Sequence, residues 1–161
     1  MIVPSLDPDK LRAFREQTLY RLLLRARRAE NVEMVARIRG RGYADLQPSY
    51  PALLANLDTE GANMTVLAAK SGISRQAASQ QLAEIEARGY VTRRSDPSDG
   101  RAVIVDRTER GRRLLRDALE VVTDLEAGYA EQVGQKRFDA MKEVLSELLD
   151  GIDPAGRLDK V

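Results

Sequence analysis

The 161-residue sequence contains no cysteine and no histidine. Without cysteine, disulfides, thiolate zinc sites, iron–sulfur clusters and cysteine redox sensing are all excluded. Without histidine, the commonest general base and the commonest metal ligand are missing as well. No glycine-rich phosphate loop and no cluster with metal-ligand spacing replaces them. The composition therefore argues against an enzyme, and neither a cofactor nor a metal is expected.

Long apolar runs are also missing. The longest uninterrupted stretches have four residues and lie at 52–55, 66–69 and 102–105. A membrane-spanning helix needs about 20 consecutive, mostly apolar residues, and the first ten residues lack the apolar stretch of a signal peptide. We therefore expect a soluble, cytoplasmic protein. Its length suggests one compact unit that buries enough surface to fold without disulfides or metals.

Charge is balanced overall but unevenly distributed along the chain. The formal net charge is +1, from 26 basic and 25 acidic residues. Residues 10–41 hold ten basic and three acidic side chains, whereas residues 109–161 hold nine basic and twelve acidic ones. Two explanations stay open: the ends of the chain pair with each other, within one copy or between two, or both are solvated helix faces.

The N-terminal third has the pattern of one long helix. Asp7 and Pro8 are suited to the N-cap and the first helical position. An apolar stripe at helical spacing follows from Leu11 to Val32, and glycines from Gly40 onward end it. If unbroken, this helix is about 45–50 Å long, at roughly 1.5 Å per residue. That exceeds the needs of a small core and is typical of a dimerisation arm.

The middle of the chain predicts short helices. One begins around Pro48 and Pro51 and turns Leu53, Leu54 and Leu57 inward. A second covers residues 66–71, capped by Thr65 and ended by Gly72, and a third runs from the Ser74 cap to residue 88. Small residues at the expected crossing of the last two predict a helix-turn-helix, with Ile73 in its corner.

Residues 91–106 change to a strand pattern. Two runs rich in β-branched residues flank Asp96-Pro97-Ser98-Asp99-Gly100, which predicts a hairpin. Thr108 then caps a long helix, and Gly134 separates it from a final one. A hairpin directly after a helix-turn-helix makes the winged version of that motif. The predicted fold is therefore mainly α with a small β-hairpin wing.

The second helix of the helix-turn-helix has one buried and one polar face. Its buried stripe is expected to comprise Ala78, Leu82 and Ile85. Gln76 and Gln80 lie nearly opposite, with small or polar neighbours that let a helix approach a major groove closely. An ordinary solvent-exposed face is an equally good explanation from the helical wheel alone.

The wing favours the DNA interpretation. Asp99 can pair with Arg101 across Gly100, and an arginine held at a wing tip suits a narrow minor groove. Residues 58–107 carry seven basic and seven acidic side chains, so binding would depend on placed arginines rather than a broad basic patch. The candidate DNA contacts are Thr65, Ser74, Arg75, Gln76, Ser79, Gln80, Arg93, Arg94, Asp99 and Arg101.

At this point the chain resembles the MarR family of bacterial winged-helix regulators. Four segments carry the likeness: residues 46–57, residues 65–76, residues 82–91 and the wing, where the pattern D-x-R, strand, T-x-x-G matches Asp99-Gly100-Arg101 and Thr108-Glu109-Arg110-Gly111. The sequence departs from the family pattern at Arg107, where Leu usually precedes the Thr, and at Gln81, where an apolar residue is usual. We expect both departures to loosen local packing.

The resemblance implies a homodimer that binds double-stranded DNA. Residues 1–45 and 108–161 would form the dimerisation helices, and residues 46–107 the DNA-binding winged helix-turn-helix. It also implies a pseudo-palindromic operator, a minor-groove contact by Arg101 and a repressor released by a small aromatic or anionic effector. Candidate effector residues are Tyr20, Leu24, Arg25, Tyr50 and Leu54, with Arg28 as an alternative cation. The main competing interpretation is a winged-helix module that binds protein or ligand but not DNA.

Overall fold

A computed structural model describes residues 7–96 and 102–153. Within these residues there are seven helices and a small antiparallel sheet that packs against α4, α5 and α6, which confirms the predicted fold class. The elements are α1 (Pro8–Glu16), α2 (Leu19–Gly40), α3 (Tyr50–Leu54), β1 (Ala62–Asn63), α4 (Met64–Lys70), α5 (Arg75–Ala87), β2 (Val91–Ser95), β3 (Val103–Arg107), α6 (Glu109–Val133) and α7 (Gln135–Ile152).

The single long N-terminal helix was a wrong prediction, because the chain breaks between α1 and α2. Gln17 caps the end of α1, and Thr18 adopts an extended conformation with ψ of 143°. The Thr18 hydroxyl donates to the Arg15 carbonyl at 3.0 Å and accepts from the Arg21 amide at 3.3 Å. A threonine that bonds the backbone on both sides competes with the helical ladder and starts a new helix. Apolar spacing across residue 18 did not reveal this break.

The wing sheet has a third strand that the sequence did not predict. The strand order is β1-β3-β2, and β1 pairs with β3 through Ala62 opposite Val105. Gly61 precedes β1 with φ of +87°, and a Cβ there would lie 2.1 Å from the Asp106 Oδ1 atom. Only glycine combines that backbone conformation with so close an approach. Two residues are too few for an alternating pattern to be visible in sequence.

One continuous core joins the helix-turn-helix to the long helices. Its fully buried side chains include the predicted stripe of Ala78, Leu82 and Ile85, and the inward leucines Leu53 and Leu57. Tyr50, Leu67, Tyr90, Val105, Val121 and Leu125 complete the central part of this cluster. The winged helix-turn-helix (residues 46–107) is therefore packed against α2 and α6 rather than linked flexibly to them.

The helix caps test the sequence predictions residue by residue. Ser74 caps α5 and Thr108 caps α6, as predicted, through side-chain oxygens that accept from the Ala77 and Gly111 amides. Thr65 does not cap α4. Asn63 does, by accepting from the Thr65 amide at 2.8 Å, so α4 begins at Met64, two residues earlier than predicted.

The start of α6 is fastened to the end of the helix-turn-helix by a close backbone contact. The Thr108 amide donates to the Tyr90 carbonyl at 3.1 Å, and the Thr108 hydroxyl donates to the Gly89 carbonyl at 2.6 Å. A Cβ on Gly111 would lie 2.0 Å from that same Tyr90 carbonyl oxygen. The T-x-x-G motif therefore combines a helix cap with the room that the Tyr90 carbonyl needs.

Large apolar side chains remain exposed on α1, α2 and α7. Phe14, Leu22 and Val32 are 50% exposed or more on the N-terminal side, as are Val144 and Leu149 on α7. These stripes face away from the core of the single chain. Among the described residues, no helix is long and apolar enough to cross a membrane.

Candidate nucleic-acid interface

The outward face of α5 is polar and shallow, as the sequence predicts. Gln76, Gln80 and Ala83 are exposed, and Ser79 is half-buried beside them. The opposite face is anchored by the buried stripe, so the helix presents this surface in one fixed orientation. Amide side chains bond adenine edges in the major groove, and the small Ala83 allows close approach.

The N-terminal end of α5 adds a place for a phosphate. The Ser74 side chain satisfies only the Ala77 amide, which leaves other first-turn donors facing outward. Arg75 is exposed at this end, and within the described residues it makes no ion pair. Thr65, at the start of α4, is also exposed. Both side chains are thus available to a backbone phosphate.

Arg93 is held by α5 rather than displayed to solvent alone. Its Nε and Nη2 atoms lie 2.7 and 2.6 Å from the Glu86 Oε2 atom. The Arg93 amide also donates to Glu86 Oε1 at 3.0 Å. Glu86 therefore joins the base of the wing to the end of the recognition helix, and Arg93 must share or surrender this carboxylate to reach a phosphate.

Arg94 is similarly paired within the wing. Its Nε donates to the Asp106 Oδ2 atom at 2.6 Å, between strands β2 and β3. In the strand register Asp106 stands opposite Thr92, so the pair is diagonal on one face of the sheet. Sequence reasoning placed Arg94 among the DNA contacts without seeing this partner. Asp99 and Arg101, the remaining wing candidates, lie outside the described residues, between β2 and β3.

A polar network joins the winged helix-turn-helix (residues 46–107, called the recognition unit below) to α6. The Tyr90 hydroxyl donates to the Asp45 Oδ1 atom at 2.5 Å, and Arg110 donates to the same oxygen at 2.9 Å. Arg110 also lies over the Tyr90 ring, 4.3 Å from its centroid, and donates to the Arg88 carbonyl at 2.6 Å. Arg110 thus contacts the loop before α3, the end of α5 and the residue before β2.

The electrostatics of this network favour a charged Asp45 and a neutral Tyr90. Burial alone would raise the pKa of Asp45, but the hydrogen bond from Tyr90 and the charge of Arg110 outweigh it and lower the pKa. Burial, followed by the hydrogen bond to Asp45, raises the pKa of Tyr90 well above its usual value. Both groups keep their ordinary charge near neutral pH, so the network is structural.

The loop between α2 and α3 is tied to α6 by a second set of contacts. Arg41 lies 2.6 Å from Glu120 and 3.5 Å from Asp124, and the Tyr43 hydroxyl donates to Asp117. At Arg41, the basic N-terminal segment therefore pairs with the acidic C-terminal segment of the same chain. This is one of the two explanations that the sequence left open for the uneven charge. The other described pairs of the basic segment, between Glu16 and Arg21 or Arg25 and between Glu33 and Arg37, are local.

A cavity of about 230 Å³ lies between α3, which belongs to the winged helix-turn-helix, and the long helices α2 and α6. Its walls come from α2, α3, α6, the loop between α2 and α3, and the last residue of β3. The lining residues are Met34, Ile38, Leu46, Pro51, Leu54, Ala55, Arg107, Gly111, Leu114, Leu115, Ala118, Leu119 and Val122. The space therefore separates the recognition unit from the long helices, where a bound molecule would contact both.

The predicted effector residues do not converge on this cavity. Leu54 lines it, whereas Tyr50 is fully buried in the core with its hydroxyl 3.4 Å from Glu84. Tyr20 and Leu24 are 75% and 42% exposed on α2, and Arg25 pairs with Glu16 on the same surface. Arg28 is exposed as well. Helical spacing placed these residues on helices, but it did not show which of their faces turn toward the cavity.

Arg107 is the residue that sequence reasoning undervalued. We expected it to loosen packing, but its guanidinium donates to the Leu54 carbonyl at 2.7 Å and the Asp58 carbonyl at 3.0 Å. It thereby fastens β3 to the end of α3. Burial lowers the pKa of Arg107, and the nearby Asp58 charge only partly opposes this shift. The other departure, Gln81, is half-buried beside the stripe of α5.

Comparisons with known proteins agree with this geometry. A family model described as the MarR family matches residues 44–102, which contain the helix-turn-helix and strand β2 and end just before β3. A search of curated proteins finds no match to this sequence. Among solved structures, the transcriptional repressor CouR bound to a 23-mer DNA duplex is 27% identical, with a TM-score of 0.69, over 91% of this chain and 99% of that chain.

Two further structures contain small molecules. CouR from Rhodococcus jostii RHA1 bound to p-coumaroyl-CoA is 27% identical, with a TM-score of 0.63, over 83% of this chain and 92% of that chain. NadR in complex with 4-hydroxyphenylacetate is 21% identical, with a TM-score of 0.65, and covers 92% of this chain and 97% of that chain. Residues 44–102 match the MarR family, and the fold of the chain is similar to that of solved transcriptional regulators such as CouR.

Proposed function

We propose that this protein is a homodimeric, DNA-binding transcriptional repressor released by a small-molecule effector. The observation that carries the proposal is the exposed face of α5, with Gln76 and Gln80 outward and a rigid buried stripe behind them. The similar repressor CouR is bound to DNA in its structure. The protein would act where bacterial DNA lies, in the cytoplasm, and would have no catalytic activity of its own.

The contacts divide into two groups. Gln76, Ser79 and Gln80 would read base edges in the major groove, while Arg75, Thr65 and the Ser74 end of the helix would hold phosphates. Arg101 would enter the minor groove with Asp99 orienting it. Arg93 and Arg94 would mainly hold the wing against α5 and within the sheet, since both already pair with carboxylates.

Dimerisation would use the exposed apolar stripes of α1, α2 and α7. Residues 1–45 and 108–161 would thus form the dimer, leaving residues 46–107 as two DNA-binding heads. The stripes together could bury over about 2,000 Å², the range of permanent interfaces. A twofold dimer favours a pseudo-palindromic operator with half-site centres roughly 10 bp apart.

The effector would occupy the 230 Å³ cavity between the heads and the long helices. A molecule there would contact α3 and α6 together and so favour one arrangement of the heads over another. CouR and NadR each bind a small molecule that contains a phenolic ring. Binding would release the operator if the bound arrangement spaces the heads incorrectly.

Replacing Gln80 with alanine tests base reading by α5. We expect Gln80→Ala to weaken binding to DNA from upstream of the gene by about 1–3 kcal/mol per contact, with much less effect on random DNA. The loss occurs in both heads of a dimer. Fluorescence anisotropy with both duplexes measures the difference, and Gln132→Ala, an exposed glutamine at the end of α6, is the control. Equal weakening on both duplexes would contradict base reading.

Replacing Arg101 with alanine tests the wing. Arg101→Ala should weaken binding to operator and random DNA alike and reduce the dependence of affinity on salt, because its target is groove potential and backbone. Asp99→Ala should have the same effect in milder form. Anisotropy at two salt concentrations measures this, with Arg137→Ala on α7 as the charge-matched control. If a folded, dimeric Arg101→Ala variant binds like the parent, a winged helix without DNA function becomes the better explanation.

A further inference from the structure

Two carboxylates lie beside the two arginines of strand β2. Glu86, near the end of α5, contacts Arg93, and Asp106 on β3 contacts Arg94, each with a nitrogen-to-oxygen distance of 2.6 Å. We propose that Glu86 and Asp106 restrict sequence-independent DNA binding, because they occupy guanidinium groups that would otherwise bind backbone phosphates. This role rests on the proposed function, since it presupposes that the wing lies against DNA.

The arginines on both faces of β2 are neutralised in this way. Arg93 and Arg94 are neighbours on one strand, so their side chains point to opposite faces of the sheet. Arg93 stands opposite the buried Val105, on the face that packs on the core, and meets Glu86 there. Arg94 lies on the other face, where Asp106 is its diagonal neighbour. Each arginine therefore has a carboxylate of its own, which tertiary packing brings to it.

These ion pairs lie at the surface of the recognition unit. The side chains of Arg93 and Glu86 are 32% and 31% exposed, and that of Arg94 is 47% exposed. Ion pairs that water and salt can reach usually contribute little to the free energy of unfolding. The larger effect of Glu86 and Asp106 is therefore on the charge that the wing presents to a polyanion.

The charge balance shows what the two carboxylates change. Residues 58–107 carry seven basic and seven acidic side chains, and they would carry seven and five with Glu86 and Asp106 neutral. An arginine that neutralises a phosphate releases counterions from DNA, whereas an arginine already paired with a carboxylate adds no net charge and releases none. A carboxylate held near a phosphate also repels it. Base contacts by α5 must therefore supply more of the affinity, which disfavours random DNA.

Replacing Glu86 with glutamine tests this role directly. Glu86→Gln removes the charge but keeps an oxygen that can accept from the Arg93 amide, 3.0 Å away in the parent. We expect the full-length variant to bind a random duplex about tenfold more tightly at about 0.1 M salt. The slope of log affinity against log salt should steepen by about 2, for one added phosphate contact in each head of a dimer. Asp106→Asn should act in the same direction, and fluorescence anisotropy at several salt concentrations measures both quantities.

Two controls separate the release of charge from damage to the wing. Glu86→Gln combined with Arg93→Gln should bind random DNA within about threefold of the parent, because the released cation is gone. Glu33→Gln makes the same charge change on α2, where Glu33 pairs with Arg37 at 2.6 Å. It should stay within about twofold of the parent, because Arg37 lies outside the recognition unit and salt screens its charge.

The outcomes distinguish this role from the function on which it rests. Random-DNA affinity that is unchanged or lower in Glu86→Gln would overturn the role of the carboxylates. A gain that survives in the double variant, or that appears equally in Glu33→Gln, would overturn it as well. The proposed function fails separately, if the parent binds DNA from upstream of its gene no more tightly than the random duplex. Because the gain is measured on random DNA, it can be observed whether or not the parent shows that preference.

Discussion

Gly111→Ala is expected to lower the free energy of unfolding by about 3 kcal/mol, in the upper part of the range for overpacked sites. The added Cβ would lie 2.0 Å from the Tyr90 carbonyl oxygen and 3.3 Å from the Arg107 Cβ. Relief requires α6 to move away from Tyr90, which also strains the Thr108 bonds to the Gly89 and Tyr90 carbonyls. The substitution therefore weakens the junction between the recognition unit and the long helices.

Gly128 provides the matched control in the same helix. A Cβ on Gly128 meets nothing within 4 Å, and alanine is favoured over glycine inside a helix by about 1 kcal/mol. Urea denaturation of both variants measures the two free energies. We expect opposite signs: destabilisation for Gly111→Ala and slight stabilisation for Gly128→Ala. Equal effects at the two positions would show that helix propensity, not the Tyr90 contact, explains the glycine in the motif.

The double substitution Val144→Glu with Leu148→Glu is expected to yield a folded monomer with severely reduced DNA affinity. Both side chains are exposed on α7 of the single chain, at 62% and 39%. Placed at an apolar interface, two carboxylates per chain would be desolvated without partners, at a cost that a dimer cannot recover. Loss of the second head removes the avidity of a two-site complex, which corresponds to about 10²–10⁴-fold in affinity.

Ser146 on the same helix offers the control for this experiment. It is exposed and lies opposite the apolar stripe of α7, so Ser146→Glu adds charge without entering the proposed interface. Light scattering gives the mass, circular dichroism the fold, and anisotropy the DNA affinity. A dimer mass for the double variant at micromolar concentration would place the interface elsewhere on the chain.

Capping residues and glycines, which act within a few positions along the chain, predicted most of the helix boundaries. Ser74, Thr108, Gly72 and Gly134 end or begin helices where the sequence indicates, because caps and left-handed glycines act over a few residues. The buried stripe of α5 follows from helical period alone. Where two local signals compete, as at Thr18, spacing predicted one helix and the side-chain hydrogen bonds produced two.

The candidate site was less accessible to sequence reasoning. The outward face of α5 could be derived from the sequence, since apolar and polar residues recur along a helix with a period of 3.6 residues. The partners of Arg93, Arg94 and Arg107 could not, because Glu86, Asp106 and the Leu54 carbonyl reach them only through tertiary packing. The signal available in the sequence was an arginine at the end of a strand, at the position where the family pattern usually has leucine. The sequence showed its presence but not that it borders a cavity.

In the proposed complex, two copies of this winged helix-turn-helix bind one operator. The most direct measurement is sedimentation velocity of the full chain mixed with a labelled duplex from upstream of its gene, with a random duplex of equal length in parallel. We predict a complex of two chains per upstream duplex, with an affinity at least 10³-fold above that for random DNA at physiological salt. Equal affinity for the two duplexes, or a single chain bound per upstream duplex, would contradict operator binding by a dimer.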